Sequence, residues 1–159
     1  HRVLSNMLSK KQESKISRII LCSGKIYFEL QDKINELQKE NIHIVRIEQL
    51  YPFPYETLSN EIKNFSHCEI VWCQEEPKNM GAWGFIRSRL EIVLKNIGSN
   101  QNNIPFIGRR AAASPATGVF ERHVANQKNI LRLSIEADIK EIYSEKDGVS
   151  LVKYKLPIE

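Results

Sequence analysis

Cysteine is scarce in this 159-residue sequence, and its three occurrences form no recognisable pattern. Cys68 and Cys73 stand five positions apart in one apolar stretch, and Cys22 is distant from both. A disulfide-stapled domain needs more cysteines, and a zinc site or thioredoxin-like motif needs a CxxC pair, which is missing. We therefore expect reduced thiols of the kind found in cytosolic proteins.

Long hydrophobic runs are also missing. No apolar stretch approaches the roughly 20 residues that a membrane-spanning helix needs. The first residues do not have the pattern of a secretory signal peptide. We therefore expect no membrane partner.

The sequence lacks the motifs of several catalytic classes. It contains no GxSxG nucleophile elbow, no GxxxxGK[ST] phosphate loop and no glycine-rich cofactor loop. His43, His67 and His123 have no neighbouring His, Cys or carboxylate at ligand spacing, so a metal site is not expected. A small stand-alone hydrolase is the weakest functional hypothesis for this reason.

What the sequence does contain fits one folded domain. Hydrophobic residues make up 42% and charged residues 26%, which excludes a disordered or collagen-like chain. The formal net charge is +4 and the pI about 9.0. Because this basic excess is spread along the chain, it suits small anions and does not indicate a nucleic-acid partner.

Short apolar segments alternate with amphipathic segments along the chain. Strands are predicted over 19–22, 42–47, 69–73 and 104–107, and helices over 25–40, 55–65, 82–97 and 119–135. Pro105 indicates that the fourth strand either lies at an edge or begins late. The β-α-β-α-β-α-β-α order predicts a three-layer α/β/α fold with a mostly parallel sheet.

The flanking segments are less regular. Residues 1–15 are polar and basic and are interpreted as a connecting arm. The folded domain is predicted over 16–137. Residues 138–159 are a tail of uncertain role, in which 149–156 alternates weakly like a strand.

The loop after the fourth predicted strand is a candidate anion site. Ser and Thr hydroxyls, free backbone N–H groups and guanidinium groups together suit a phosphate or carboxylate. If the loop holds an anion, His123 on the following helix is a further candidate to reach it. Alternatively, Thr117 caps the next helix and the arginines pair with acids across an interface. By position alone, the candidate anion-binding residues are Arg46, Arg109, Arg110, Ser114 and Thr117.

Two adjacent carboxylates, Glu75 and Glu76, follow the third predicted strand. Paired carboxylates can do acid–base chemistry, but neighbours on an extended chain point to opposite sides. We therefore favour a structural or interface role over catalysis. No residue is assigned a catalytic role.

Four sequence blocks carry a resemblance to a known family. They are RIILCSG (18–24), VRIEQLYPFP (45–54), VWCQEEPKNMGAW (71–83) and GRRAAASPATG (108–118). In this order and spacing they resemble the C-terminal domain of the E1 component of 2-oxoglutarate dehydrogenase. Transketolase and the pyruvate dehydrogenase β chain have a looser glutamate pair at the third block, so the 2-oxoglutarate branch is favoured. The resemblance covers roughly 18–135.

The resemblance implies a domain like the C-terminal domain of transketolase, with a mainly parallel sheet and one antiparallel edge strand. It implies a dimeric parent oxidoreductase that decarboxylates 2-oxoglutarate on thiamine diphosphate and Mg²⁺ and passes the succinyl group to the E2 lipoyl arm. The cofactor motif of the family has no equivalent here, so no cofactor or metal is expected in this chain. The isolated chain is expected to be inactive.

The implied partners are the remaining domains of E1, the second E1 protomer and the E2 dihydrolipoyl succinyltransferase. The implied location is the bacterial cytoplasm, or the mitochondrial matrix in a eukaryote. A composition rich in Ile, Lys and Asn favours a bacterial source. The candidate inter-domain interface comprises Glu48, Gln49, Tyr51, Gln74, Glu75, Glu76, Lys78 and Asn79.

Two functional hypotheses thus stand beside the weak hydrolase hypothesis. In the first, the domain supports inter-domain packing and dimer assembly of the thiamine enzyme. In the second, it is a regulatory module that binds an effector at the strand-end loops, since AMP or acetyl-CoA regulates some relatives.

Overall fold

The computed structural model describes residues 2–115, 118–137, 145–146 and 149–152. Its elements, in chain order, are β1 (Val3–Ser5), α1 (Lys10–Glu13), β2 (Arg18–Cys22), α2 (Ile26–Glu36), β3 (Ile42–Ile47), α3 (Tyr55–Ile62) with a 3₁₀ turn (Lys63–Phe65), β4 (Glu69–Pro77), α4 (Trp83–Asn96), β5 (Phe106–Arg109), α5 (Phe120–Glu136), β6 (Glu145–Lys146) and β7 (Val149–Val152).

All the described strands belong to one sheet, in the order β1-β3-β2-β4-β5-β7-β6. The four central strands, β3, β2, β4 and β5, are parallel to one another. β1 is antiparallel to β3 at one side, and β7 and β6 are antiparallel at the other. The predicted α/β class with a mostly parallel sheet is confirmed, and the antiparallel pairing occurs on both sides of it.

Both faces of the sheet are covered by helices. Ile19 and Leu21 of β2 pack on one face against α3 and α4, while Ile20 and Cys22 pack on the other face against α2 and α5. Successive side chains of a strand point to opposite faces, so a continuous apolar run is what a strand buried on both faces requires. Each fully buried aliphatic side chain contributes about 1.5–3 kcal/mol of stabilisation.

The connecting arm expected over residues 1–15 is corrected by the structure. Val3 pairs with Ile47 and Ser5 with Val45, so β1 belongs to the sheet. A capping box between Ser9 and Gln12 then starts the short helix α1. Three residues are too few to show an alternating pattern, which is why the sequence did not predict this strand. The domain boundaries at 16 and 137 stay predictions.

Several element bounds also differ from the sequence prediction. β4 continues past Cys73 to Pro77, and β5 begins at Phe106 because Pro105 has no backbone N–H to donate. β5 lies between β4 and β7, so of the two interpretations of Pro105 the late start is correct. In the predicted tail, β7 covers 149–152, while 153–156 lie outside the described residues.

None of the helices in the described ranges is long and apolar enough to cross a membrane.

The carboxyl end of α5 is attached to the sheet by the guanidinium of Arg18. Arg18 donates to the Glu69 carboxylate at 2.8 Å, to the Ser134 carbonyl at 2.9 Å and to the Ala137 carbonyl. The side chains of Arg18 and Glu69 are only 11% and 23% exposed. Arg18 therefore satisfies carbonyl groups that the end of a helix leaves unpaired.

We predict that Arg18→Ala lowers the free energy of unfolding by about 2–3 kcal/mol, because it leaves the Glu69 carboxylate partly buried without its cation. Lys33→Ala breaks the exposed pair with Glu36 and should cost less than about 0.5 kcal/mol. Urea denaturation of the two variants measures the difference. Equal losses in both variants would show that Arg18 does not fasten α5.

His43 produces a pH dependence of stability. Burial lowers the pKa of this ring, against the smaller opposing effects of Glu61 and Glu13, so the folded state favours neutral His43. Below about pH 6.5 the unfolded chain takes up a proton that the folded chain resists, and the free energy of unfolding falls.

We predict that His43→Gln flattens this loss between about pH 7 and pH 5, because the variant no longer has the buried titrating group. The measurement is urea denaturation at both pH values. His67→Gln, at an exposed position, is the control and should keep the wild-type slope. If the free energy of unfolding of His43→Gln fell with pH as steeply as that of the wild type, His43 would not be the source of the pH dependence.

Candidate functional site

Four loops follow the carboxyl ends of the parallel strands and meet at one edge of the sheet. They are residues 23–25 after β2, 48–54 after β3, 78–82 after β4 and 110–115 after β5. In open α/β sheets, ligands bind at this edge. Most of the sequence-predicted site residues lie here.

The side-chain amide of Gln74 organises the loop after β4. Its Oε1 accepts hydrogen bonds from Trp72 Nε1 at 2.9 Å and from the backbone N–H of Trp83 at 3.1 Å. Its Nε2 donates to the Met80 carbonyl at 2.8 Å and lies within 3.3 Å of the Glu76 and Pro77 carbonyls. Gln74 is buried, so these contacts satisfy polar groups that water does not reach. It is a positioning residue of the candidate interface.

The turn that follows requires a glycine. Gly81 has φ +64°, and a Cβ at this position would lie 3.0 Å from Gln74 Nε2 and 3.0 Å from Glu76 Oε2. A side chain would therefore have to displace the organising amide as well as adopt a left-handed backbone. The close approach of Gln74 and Glu76 explains why a glycine stands in the NMGAW motif.

The loops after β4 and β5 are joined by direct hydrogen bonds. Asn79 donates from Nδ2 to the Ala112 carbonyl at 2.9 Å and accepts at Oδ1 from the Ala112 N–H at 3.1 Å. The Lys78 N–H donates to the Arg109 carbonyl at 2.9 Å. Two of the predicted interface residues, Lys78 and Asn79, thus hold one loop against its neighbour.

Glu75 and Glu76 point in different directions, as expected for neighbours on an extended strand. Glu75 Oε1 accepts from Lys25 Nζ at 2.7 Å and from Gln127 Nε2 at 3.1 Å, and Gln127 also donates to Glu29 at 3.1 Å. The hydrogen bond to Glu75 raises the pKa of Lys25. Glu75 is therefore engaged inside the domain, whereas Glu76 is exposed.

Arg109 belongs to the same polar network. Its Nη2 lies 3.0 Å from His123 Nδ1 and 3.5 Å from Gln127 Oε1, both on α5. Since the guanidinium can only donate, His123 Nδ1 is the acceptor of this hydrogen bond. Arg109 is only 8% exposed, and its Nε has no hydrogen-bond partner among the described residues.

Arg46 is separated from Arg109 by two strands, β2 and β4. Its guanidinium carbon lies 4.1 Å from the centre of the Tyr27 ring, and its Nη1 lies 3.8 Å from Glu48 Oε1. The cation is thus engaged by an aromatic face and a carboxylate on its own side of the domain.

The remaining anion candidates do not complete a site. Arg110 and Ser114 are exposed, and Thr117 lies outside the described residues. The residue that precedes α5 is Val119, whose side chain does not cap the helix. Arg46 lies two strands away from Arg109, and anion binding stays a prediction.

Three of the predicted interface residues lie around a cavity of about 500 Å³ at the strand ends. Tyr51, Gln74 and Glu76 all line it. The side chain of Gln49 instead donates to the Pro52 carbonyl at 3.0 Å and supports the 48–54 loop. Tyr51 is 81% exposed, so this ring is available to a partner.

No catalytic or metal-binding group emerges from the described residues. Burial raises the pKa of Cys73 to about 12 and also raises the pKa of Cys22 and Cys68, so these thiols are protonated at neutral pH. In the part of the chain that the structure describes, no three His, Cys, Asp or Glu side chains gather as metal ligands.

Sequence reasoning missed three members of the polar network, Lys25, Glu29 and Gln127. Lys25 directly follows Gly24 at a strand end, so its position was a usable signal. Gln127 stands four residues after His123, on the same face of α5, but nothing in the sequence links it to Glu75, 52 positions away.

Comparison with known proteins gives one consistent result. Residues 1–135 match the family described as 2-oxoglutarate dehydrogenase C-terminal. The chain is 49% identical over 115 residues to proteins named 2-oxoglutarate dehydrogenase E1 component from Brucella anthropi, Brucella ovis and Brucella canis. The matched region is 72% of this chain and 12% of each relative. The chain therefore spans a small part of the length of these relatives.

We predict that Gln74→Glu lowers the free energy of unfolding by about 3 kcal/mol or more, because it replaces the donor to the Met80 carbonyl by a buried negative charge. Protonation of the introduced carboxylate restores one O–H donor. The loss in free energy of unfolding should therefore be smaller at about pH 5 than at pH 8. Denaturant unfolding at both pH values measures it. The matched control is Gln38→Glu, at an exposed position. Equal stability of the two variants would contradict the organising role of Gln74.

Proposed function

This chain belongs to the 2-oxoglutarate dehydrogenase C-terminal family, and we propose that it is the assembly domain of an E1 component. In this proposal the parent enzyme decarboxylates 2-oxoglutarate on thiamine diphosphate and Mg²⁺ and transfers the succinyl group to the lipoyl group of E2. The domain packs on the remaining E1 domains and supports the dimer. The parent works in the bacterial cytoplasm.

The observation that carries the proposal is the family match over most of the chain, combined with its small share of the relatives. A segment of this size within a large enzyme acts through the surfaces it presents to the rest of the polypeptide. The strand-end edge suits such a role, because its loops are held rigidly by Gln74 and Asn79. A preorganised surface loses little conformational entropy when it is covered.

The polar network around Glu75 does not fit a thiamine diphosphate site. Mg²⁺ bound to a diphosphate needs unengaged carboxylate or amide oxygens. Here the paired carboxylates Glu29 and Glu75 already accept hydrogen bonds from Lys25 and Gln127. We propose that other parts of E1 hold the cofactor, and no chemical step is derived for this domain.

The alternative, a regulatory module for an effector such as AMP or acetyl-CoA, has less support. An adenine nucleotide effector needs several cations directed at one phosphate group. Arg109 is directed at His123 and Gln127, and Arg46 at Tyr27 and Glu48, two strands away. The assembly role is therefore preferred.

The proposal predicts that Gln74→Glu, introduced into the full-length E1 polypeptide, lowers both the dimeric fraction and the 2-oxoglutarate decarboxylation rate. A disordered strand-end loop weakens packing on the other domains, so both quantities should fall together. Light scattering after gel filtration measures the first, and turnover with an artificial electron acceptor at saturating cofactor measures the second.

Gln38→Glu in the same full-length protein is the control and should leave both quantities unchanged. A full-length E1 without residues 2–137 of this domain provides the limiting case. If that truncated protein remained dimeric and fully active, the assembly role would be wrong.

A further inference from the structure

The strand-end cavity has the composition of a socket for an apolar side chain. It measures about 500 Å³ and opens between the loops after β2, β3 and β4. Its apolar walls are formed by Leu50, Tyr51, Trp72, Ala82 and Phe85. Aromatic walls of this kind are enriched where protein interfaces derive most of their binding energy.

A carboxylate stands at the edge of this socket. Glu76 lines the cavity and is exposed, and no basic side chain of the described residues forms an ion pair with it. By contrast, its neighbour Glu75 is paired with Lys25. The socket therefore combines an apolar interior with one negative charge that has no counter-charge inside this part of the domain.

The position of Glu76 is fixed by its surroundings. Its backbone carbonyl lies within reach of Gln74 Nε2, and its carboxylate lies close to Gly81, where no side chain intervenes. Phe85, on the wall, is held from outside by Arg89, whose guanidinium carbon lies 3.6 Å from the ring centre. The socket thus exists before any partner binds.

The size of the parent enzyme and the charge of the socket indicate the occupant. The matched region is 12% of the length of the E1 relatives, so most of such a polypeptide is available to cover this edge. A second copy of this domain in a two-fold contact would bring the same carboxylate against Glu76. The charge instead favours a segment that presents a basic group next to an apolar side chain.

We propose that the socket binds an apolar side chain from the remaining part of the E1 polypeptide, with an adjacent Lys or Arg paired to Glu76. This inference rests on the proposed function, because it presupposes that the domain packs within E1. It adds the location of the contact and the chemistry of the contacting segment.

Site-specific photo-crosslinking in full-length E1 tests the inference. Tyr51, exposed at the mouth of the socket, is replaced by p-benzoylphenylalanine, and the crosslinked peptides are identified by mass spectrometry. Phe28 on α2, which is 59% exposed and does not line the socket, receives the same replacement as a control.

The expected result is a crosslink from position 51 to an E1 peptide outside the present 159 residues, in either protomer, that contains Lys or Arg beside an apolar residue. A crosslink from position 51 to E2, or to a second copy of this domain, would overturn the inference. So would crosslinks to other E1 domains from position 28 alone, and in that case the assembly role would stand. If neither position gave a crosslink to another E1 domain, both the socket inference and the assembly role would be contradicted.

Charge reversal tests the ion pair separately. Glu76→Lys should lower the crosslink yield at position 51 by roughly threefold to tenfold, the loss expected when one exposed ion pair becomes a like-charge contact. Asp32→Lys, on the exposed face of α2, makes the same charge change and should leave the yield unchanged. Equal yields in the two variants would show that the contacting segment presents no cation to Glu76.

Discussion

The side-chain amide of Gln74 is the interaction on which the strand-end surface depends. Between the end of β4 and the start of α4, backbone groups leave the regular hydrogen bonding of strand and helix. The amide of Gln74 supplies both an acceptor and a donor for these groups. It accepts a hydrogen bond from the Trp83 N–H and donates one to the Met80 carbonyl. It also accepts from the indole of Trp72, so the hydrophobic core and the loop are joined through the same group. The positions of Glu76 and Gly81 follow from this arrangement.

The alternation of side chains along β4 divides its polar end into two parts. Glu75 faces α2 and α5, where it joins Lys25 and Gln127 in a network inside the domain. Glu76 lies on the opposite side, at the edge of the apolar cavity. Two adjacent residues of the same type thus serve different purposes, because a strand directs one inward to a network and the other to the surface.

Much of the fold could be predicted from the sequence, because strands buried on both faces and amphipathic helices have distinct patterns. The predicted strand over 42–47 has the observed bounds, and α4 and α5 differ from prediction by one residue at each end. β1 could not be predicted, because its only cause is pairing with β3, 40 or more positions away. The candidate site was predictable as a set of loops. The partners of Arg46 and Arg109 were not, since Tyr27 and Gln127 are brought to them only by tertiary packing.

The hydrogen bonds of the polar side chains explain why this edge of the sheet is better suited to contact with a partner than to catalysis. A catalytic group needs freedom to exchange a proton or bind a substrate, whereas Gln74, Glu75 and Asn79 are each held by two or more hydrogen bonds within the domain. Those bonds make the surface rigid, and an aromatic-walled cavity and the Glu76 carboxylate are exposed on it. Rigidity of this kind lowers the entropic cost of docking, but it does not by itself supply a catalytic group. The sequence block over 71–83, which carries the family resemblance, therefore keeps the strand-end surface rigid.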